Sequence, residues 1–221
     1  DLAARWENFN YGTMLIGDEF SGMVFGDEHL YSYNLWLHYN SENDRYFTTH
    51  GASLEAGYSM YTDDFVHYRS SSPVHVVNGR WRFAVRLTDR LTLQPAVYGR
   101  ILLGNEMPWC LSNFIGGDYA GHYVEQQLPF AGIGNIEVAD NAFVATGIKL
   151  QQRIMDNNYL IARAAFALNS GKIRNLIDSP LLHGYQLSWA YNSMFGPVNA
   201  NIGYSSKTRR VFFYLNLGYE F

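Results

Sequence analysis

The chain closes with Val211-Phe212-Phe213-Tyr214-Leu215-Asn216-Leu217-Gly218-Tyr219-Glu220-Phe221, in which apolar or aromatic residues occupy every odd position. The even positions include Asn216, Gly218 and Glu220, which are compatible with water. Successive side chains of a β-strand point to opposite faces, so this stretch predicts a strand with one apolar face and one polar face. A single strand of this kind fits both soluble and membrane proteins, and the rest of the chain decides between them.

The same alternation recurs upstream and predicts further strands. It is clearest in residues 80–88, where Trp81, Phe83 and Val85 alternate with arginines. Most of the predicted strands have about the 9–11 residues that a tilted strand needs to cross a bilayer. They comprise residues 7–17, 31–40, 54–61, 80–88, 91–103, 144–154, 159–168, 185–195 and 198–205, followed by the terminal strand 211–221.

The composition favours a membrane barrel over a soluble β-sandwich. Aromatic residues make up 16% of the chain, and the predicted polar faces carry few charges. The mean hydropathy is −0.19, and no apolar run approaches the roughly 18 residues of a membrane helix. A soluble sandwich would expose charged outer faces, whereas here the apolar faces are rich in Tyr and Trp. We therefore expect an all-β, transmembrane antiparallel barrel of about 10–12 strands, with residues 1–221 as one barrel domain or the C-terminal part of a larger one.

The predicted connections differ in length on the two sides of the sheet. One side has residues 41–51, 88–90, 155–158 and 195–197, of which all but the first are tight turns. The other side has residues 18–29, 62–79, 105–141, 170–183 and 206–209, of which all but the last are long. Bacterial barrels have short periplasmic turns and long outer loops, so both chain ends are expected on the periplasmic side.

Charge and motifs exclude several classes of function. The net charge of −4 argues against a nucleic-acid partner. The chain contains no P-loop, no His-Glu-x-x-His, no paired cysteines and no Gly-x-Ser-x-Gly nucleophile turn, so no catalytic residue, metal or cofactor is expected. Seven histidines leave a barrel-wall lipid hydrolase open as an alternative, although only His38 falls within a predicted strand.

Residues 113–132 read Asn-Phe-Ile-Gly-Gly-Asp-Tyr-Ala-Gly-His-Tyr-Val-Glu-Gln-Gln-Leu-Pro-Phe-Ala-Gly, in the longest outer connection. This run resembles the barrel of the BamA and two-partner-secretion (bacterial surface antigen) superfamily, and most closely the C-terminal barrel of Bacteroidetes-type patatin-like phospholipases. Residues 44–51, Asp-Arg-Tyr-Phe-Thr-Thr-His-Gly, resemble the superfamily's aromatic-Pro-Thr-basic-Gly turn. Ala120 stands where the superfamily carries Arg, and Thr48 stands in place of its Pro. The resemblance covers residues 45–221.

The resemblance implies that the long connection folds into the barrel, and we expect residues 113–130 to enter the lumen. Glycine permits close backbone approach and positive φ, which assigns that role to Gly116, Gly117 and Gly121. The carboxylates of Asp118 and Glu125 are then expected to pair with cations on the wall. The predicted lumen network comprises Arg82, Arg86, Arg100, Arg163, Lys149 and Glu55.

The resemblance also implies a function. The chain would be an outer-membrane barrel of a Gram-negative bacterium, anchoring or translocating a linked or partner polypeptide, with any patatin-type catalysis located outside this chain. Expected partners are outer-membrane lipid and a fused or associated periplasmic or secreted domain. Two alternatives stay open: a small porin with an arginine-lined lumen, and a barrel-wall lipid hydrolase.

Overall fold

The computed structural model describes residues 1–9, 28–117, 126–134 and 136–217. Ten strands form the main sheet: β1 (Leu2–Phe9), β2 (Glu28–Asn40), β3 (Gly51–Thr62), β4 (Val74–Arg86), β5 (Leu91–Leu103), β9 (Ala142–Met155), β10 (Asn158–Ser170), β11 (Leu182–Ser193), β12 (Gly196–Ser205) and β13 (Val211–Leu217). Three short strands lie between β5 and β9: β6 (Asn113–Gly116), β7 (Gln127–Leu128) and β8 (Ile136–Asp140). Single 3-10 turns span Trp109–Leu111 and Ile173–Asn175.

Across the described ranges, none of the helical segments has the length and apolar character required to traverse a membrane.

The main sheet follows the order of the chain, and every neighbouring pair is antiparallel. Strand β5 pairs directly with β9, with Tyr98 opposite Ala145, and the described residues of the connection between them lie outside the main sheet. Strands β1 and β13 form the two edges in the described part of the chain. The short strands make a separate sheet of order β7-β6-β8, in which β6 and β7 are parallel.

The two faces of the main sheet have the polarity of a membrane barrel, which is the reverse of a soluble protein. Leu35 and Leu215 on one face are 56% and 63% exposed, whereas Ser32 and Asn201 on the other are 1% exposed. We call the apolar, exposed face the outer face and the opposite one the inner face. An exposed apolar surface of this extent, on the outward face of successive antiparallel strands, is typical of the lipid-facing side of a membrane barrel. The predicted alternation of an all-β barrel chain is therefore confirmed.

Ten strands were predicted from the alternation, and the main sheet contains ten. The first one was placed wrongly: residues 7–17 were predicted, but the strand is Leu2–Phe9, and residues 10–17 lie outside the described ranges. Its position is set by pairing with β2, where Trp6 lies opposite Tyr31. Strand β4 begins at Val74, six residues before the predicted start at position 80. The part of the terminal strand up to Leu217 is described and alternates as expected.

Pro95 occupies the middle of β5, where a proline cannot donate to a neighbouring strand. The pairing between β4 and β5 is interrupted there, between Arg82 opposite Ala96 and Val85 opposite Leu93. On its other side Pro95 stays in register with Ile148 of β9. The missing amide is thus accommodated by a local break on the β4 side alone.

Candidate functional site

Two stretches of chain lie against the inner face. The first, called the long-loop segment, is the described part of the β5–β9 connection, residues 104–117, 126–134 and 136–141. The second, called the turn segment, is residues 41–50 between β2 and β3. Because the connections alternate between the two ends of an antiparallel sheet, the two segments cover the inner face from opposite ends.

The long-loop segment is organised around β6. Gly116 and Gly117 at its end have φ of 127° and 86°, a region that side chains with a Cβ rarely adopt. This turn lets the Gly117 amide donate to the Ile133 carbonyl at 2.9 Å. The Gln127 side-chain Nε2 then donates to the Gly116 carbonyl at 2.9 Å, which ties β7 to β6. The segment is therefore closed on itself by one main-chain and one side-chain hydrogen bond.

Apolar side chains attach the long-loop segment to the wall. Phe130 is fully buried and meets Phe143 of β9 edge-to-face, with ring centroids 6.4 Å apart. The Tyr98 hydroxyl on β5 donates to the Pro129 carbonyl at 2.6 Å. The cluster unites loop residues with inner-face residues of four strands: Tyr98, Ile115, Leu128, Phe130, Ala131, Ile133, Phe143, Ala145, Ala165, Ala167 and Leu182. Burial of this apolar area is the main force holding the segment in place.

Arg100 joins the same segment to the wall through polar contacts. This β5 residue is 8% exposed, and its Nη1 donates to the Leu111 carbonyl and to Asn113 Oδ1, each at 2.6 Å. In return Asn113 Nδ2 donates to the Arg100 carbonyl at 2.8 Å. A buried guanidinium costs much free energy unless its donors are satisfied, so these contacts depend on the segment staying inside.

The turn segment has a rigid internal structure. The Asp44 carboxylate accepts the Tyr46 and Phe47 amides at 2.8 and 2.7 Å, and the Thr48 hydroxyl donates to the Asp44 carbonyl. Asn43 Oδ1 accepts the Thr49 and His50 amides. Short polar side chains of this kind replace the hydrogen bonds of regular structure in turns. They fold the segment back toward the barrel wall.

Side chains of β5 and β9 donate hydrogen bonds to carbonyl oxygens of the turn segment. Lys149 on β9 donates to the Tyr46 carbonyl at 3.2 Å, and Gln94 on β5 donates to the Thr48 carbonyl at 2.6 Å. The Phe47 ring is 5% exposed and stacks on Tyr159 of β10, with centroids 4.1 Å apart. The segment thus reaches from its own strands to the opposite half of the sheet.

An ion pair holds the N-terminal end of the turn segment. The Arg82 guanidinium on β4 donates two hydrogen bonds to the Glu42 carboxylate, from Nε to Oε1 at 2.7 Å and from Nη2 to Oε2 at 2.6 Å. The Glu42 side chain is 4% exposed and the Arg82 side chain 36%. A bidentate pair with one buried partner fixes both position and orientation.

We expect Glu42→Ala to loosen the turn segment by about 2 kcal/mol, a value reduced for the partial exposure of Arg82. The trypsin-sensitive bond after Arg45 should then be cut at least about tenfold faster in detergent-solubilised protein, because cleavage follows local opening. Asp156→Ala, in the turn between β9 and β10, is the matched control. Equal cleavage rates in the two variants would contradict the assignment.

Asp140, at the end of β8, is partly buried and accepts a hydrogen bond from Asn169. Burial raises the pKa of its carboxyl, while the Asn169 hydrogen bond and the Lys207 charge oppose the shift. The folded protein therefore holds this proton more tightly than the unfolded chain does. Its contribution to stability is present at low pH and is lost as pH rises from about 4 through the raised pKa.

Asp140→Asn should remove this dependence on pH. The melting temperature of the wild type is expected to fall more between pH 4 and pH 8 than that of the variant, because only the wild type must ionise a partly buried carboxyl. Thermal unfolding followed by the loss of heat-modified gel mobility measures both proteins at each pH. An identical shift in the two would assign the pH dependence to other groups.

The residues of the predicted lumen network all lie on the wall but do not form one cluster. Arg82, Arg86 and Lys149 contact the turn segment, with Arg86 donating to Thr49 Oγ1 at 3.0 Å. Arg100 contacts the long-loop segment, and Arg163 donates to Ser188 Oγ on the wall at 3.3 Å. Glu55 is half-buried, with Arg80 opposite it on β4. Asp118, Gly121 and Glu125, predicted for the loop, lie outside the described ranges.

Sequence reasoning missed the turn segment as an inward structure. Residues 41–51 were predicted as a plain periplasmic connection, yet Glu42, Tyr46 and Thr48 all supply contacts to the wall. A signal was present, because this connection is far longer than the other three on its side. Its Asn-Asp-Arg-Tyr-Phe-Thr-Thr run also combines turn-forming side chains with aromatic rings that need burial.

Three side chains of the types that a hydrolase or a metal site uses are engaged in other contacts. Ser32 donates to Glu7 Oε1 at 2.7 Å, His75 contacts the Tyr58 hydroxyl at 2.7 Å, and His67 pairs with Asp64 at 3.1 Å. Asp64 accepts the Val66 and His67 amides, which lower the pKa of its carboxyl. Within the described ranges, no three His, Cys, Asp or Glu residues converge in a way that could hold a metal ion.

Comparison with known proteins fits this architecture. The family model of the OMP85 superfamily matches residues 3–221, which include the main sheet from the second residue of β1 onward and both inward segments. The comparison with curated proteins gives no match. The family match begins at residue 3, whereas the resemblance seen in the sequence covered residues 45–221. An outward apolar face, a polar inner face and this match over nearly the whole chain show that the protein belongs to the OMP85 superfamily of bacterial outer-membrane β-barrels.

Proposed function

We propose that this barrel is the membrane anchor and translocation domain of a linked or partner polypeptide, and that it is occluded at rest. The observation that carries the proposal is the coverage of the inner face from both ends by chain segments with buried polar contacts. Arg100 is satisfied by the long-loop segment, and Lys149 and Gln94 by the turn segment. A channel for small solutes gains nothing from such coverage, whereas a translocator must stay closed until its polypeptide arrives.

We infer further that the barrel is of the patatin-like surface-antigen type. Support comes from the sequence of residues 113–132 and 44–51. Residues 113–117 and 126–132 lie in the long-loop segment, and residues 44–50 lie in the turn segment. In this proposal the chain itself performs no catalysis, and a phospholipase domain would act from a fused or associated periplasmic or secreted unit. The chain has no Gly-x-Ser-x-Gly sequence to supply a nucleophile.

The porin alternative requires free arginines around an open lumen. Selectivity for anions needs cationic side chains that face water along the path. Arg82 instead binds the Glu42 carboxylate, and Arg100 binds groups of the long-loop segment. These contacts favour occlusion by the two segments over a conducting ring of charges.

Planar-bilayer conductance of the native protein tests the proposal. We expect low conductance in the wild type and a stepwise increase when residues 113–130 are deleted. Glu42→Ala, which frees the turn segment, should add to the increase. A large anion-selective conductance in the wild type would support the porin. Lipase activity lost on changing a single Ser or His would support the hydrolase.

A further inference from the structure

An open apolar groove of about 500 Å³ runs along the outer face across β9, β10 and β11, and reaches β12 and β13. Its floor is formed by Ala162 and Ala164, at successive outward positions of β10. Large side chains flank the floor on both sides. Ile148 and Leu150 stand on β9, and Tyr185 and Leu187 stand on β11.

The register explains the groove. Ala162 lies opposite Leu150 on one side and Leu187 on the other, and Ala164 lies opposite Ile148 and Tyr185. Side chains paired across strands lie about 5 Å apart, so two alanines between two ridges leave a trough one aliphatic chain wide. The rest of the described outer face is dominated by large side chains. Small outward residues also lie opposite one another elsewhere, as Ala56 and Gly79 do, but at Ala162 and Ala164 large side chains flank them on both sides.

The groove ends beneath a basic rim. Tyr204 and Val211 line its upper part and border the connection between β12 and β13, which carries Lys207, Arg209 and Arg210. The neighbouring connection between β10 and β11 carries Lys172 and Arg174, and all five cations are exposed. Asp178 is the one carboxylate in these two connections. This excess of positive charge stands out in a chain whose net charge is −4.

The turn holds the two arginines at the surface. Arg209 adopts φ of 53° and its amide donates to the Ser205 carbonyl at 2.9 Å, while the Arg210 amide donates to Thr208 Oγ1. Arg209 and Arg210 are exposed, and the next residue, Val211, lines the groove. Guanidinium binds phosphate oxygens in a bidentate fork, so this pair suits a phosphate at the end of the groove.

We propose that the groove and the rim form a binding site for a phosphorylated acidic lipid of the outer leaflet. An acyl chain would occupy the trough over Ala162 and Ala164, with a headgroup phosphate on Arg209 and Arg210. The charge of the rim selects an anionic headgroup over a zwitterionic one. Its location on the side of the long connections places the phosphate at the cell surface, where such a lipid presents it.

Native mass spectrometry of the full native protein tests the site, with bis-phosphorylated lipid A as the probe and phosphatidylcholine as the neutral comparison. Arg209→Gln with Arg210→Gln removes the rim charges, and Ala162→Leu with Ala164→Leu fills the trough. Each double variant should weaken lipid A binding at least about tenfold, and the arginine variant should leave phosphatidylcholine binding unaffected because that headgroup is zwitterionic. Two matched controls should bind as the wild type does. Arg90→Gln with Arg153→Gln alters the β4–β5 turn and the adjoining end of β9, at the other end of the sheet. Ala52→Leu with Ala56→Leu enlarges outward alanines of β3.

Three results would overturn the proposal. Unchanged binding in both test variants would mean that lipid A binds elsewhere. Loss only in the arginine variant would mean that a phosphate binds the rim without a chain in the groove. A shift from dimer to monomer in the groove-filled variant would mean that a second copy of the chain covers this face. Heat-modified gel mobility verifies that each variant is folded before binding is compared.

Discussion

Replacing Arg100 by methionine is expected to release the long-loop segment and to lower the free energy of unfolding by about 3 kcal/mol. Methionine keeps the volume of the side chain but donates no hydrogen bond. The Leu111 carbonyl and Asn113 Oδ1, now satisfied at 2.6 Å, would lose this donor inside the protein. Unfolding by urea in lipid vesicles gives the change in stability, and single-channel recording gives the expected rise in conductance.

Arg80→Met is the matched control. Arg80 also points from the wall toward the interior, but its guanidinium lies over the Tyr98 ring at 5.9 Å, a weaker contact. Asn113→Asp supplies an intermediate case, since it keeps acceptors for Arg100 and loses only the donation to the Arg100 carbonyl. Equal effects of the Arg80 and Arg100 variants would show that Arg100 does not hold the segment.

The strands could be predicted from the sequence because the alternation of apolar and polar side chains depends only on residues that are adjacent in the chain. The bounds of residues 91–103 were predicted correctly, because Leu91, Leu93, Val97 and Ile101 alternate with Thr92, Gln94, Tyr98 and Arg100. The start of β4 was missed because His75 sits at an outward position among valines and breaks the pattern. The structure tolerates it there because His75 bonds the hydroxyl of Tyr58 on the adjacent strand at 2.7 Å. Tyr58 is 17 residues from His75 in the sequence, so the alternation within one strand cannot predict this contact.

The inner-face positions of the candidate site followed from the same alternation, but their partners did not. Lys149 finds the Tyr46 carbonyl 103 residues away, which no periodicity encodes. Arg100 donates to the Leu111 carbonyl and to the Asn113 side-chain amide, two acceptors that the alternation does not indicate. Which wall cation meets which segment depends on how each segment folds, and that is decided by apolar burial of residues such as Phe47 and Phe130.

Gly184→Ala is expected to have an effect as large as Arg100→Met, although it adds a single methyl group. A Cβ at Gly184 on β11 would lie 1.8 Å from the Ala131 carbonyl oxygen and 2.8 Å from the Phe130 ring. The first of these is a main-chain atom, so relief requires residues 130–134 to move away from the wall. That movement exposes Phe130 and Ile133, which are now buried, and should cost about 3 kcal/mol.

Gly79→Ala is the control, because the nearest atom to its Cβ would be the Glu55 carbonyl oxygen at 3.8 Å. Alanine there should be neutral or stabilising by up to about 1 kcal/mol, since it reduces the freedom of the unfolded chain. If the wall and the long-loop segment were not in contact, Gly184→Ala should show the same gain in stability. That result would refute the packing of residues 130–134 against β11.

Because Gly184→Ala and Arg100→Met displace the same segment, the double variant should lose less stability than the sum of the two single losses. Full additivity would mean that the apolar and polar contacts hold separate pieces of chain, whereas a shortfall identifies the long-loop segment as one unit that leaves the wall in a single step.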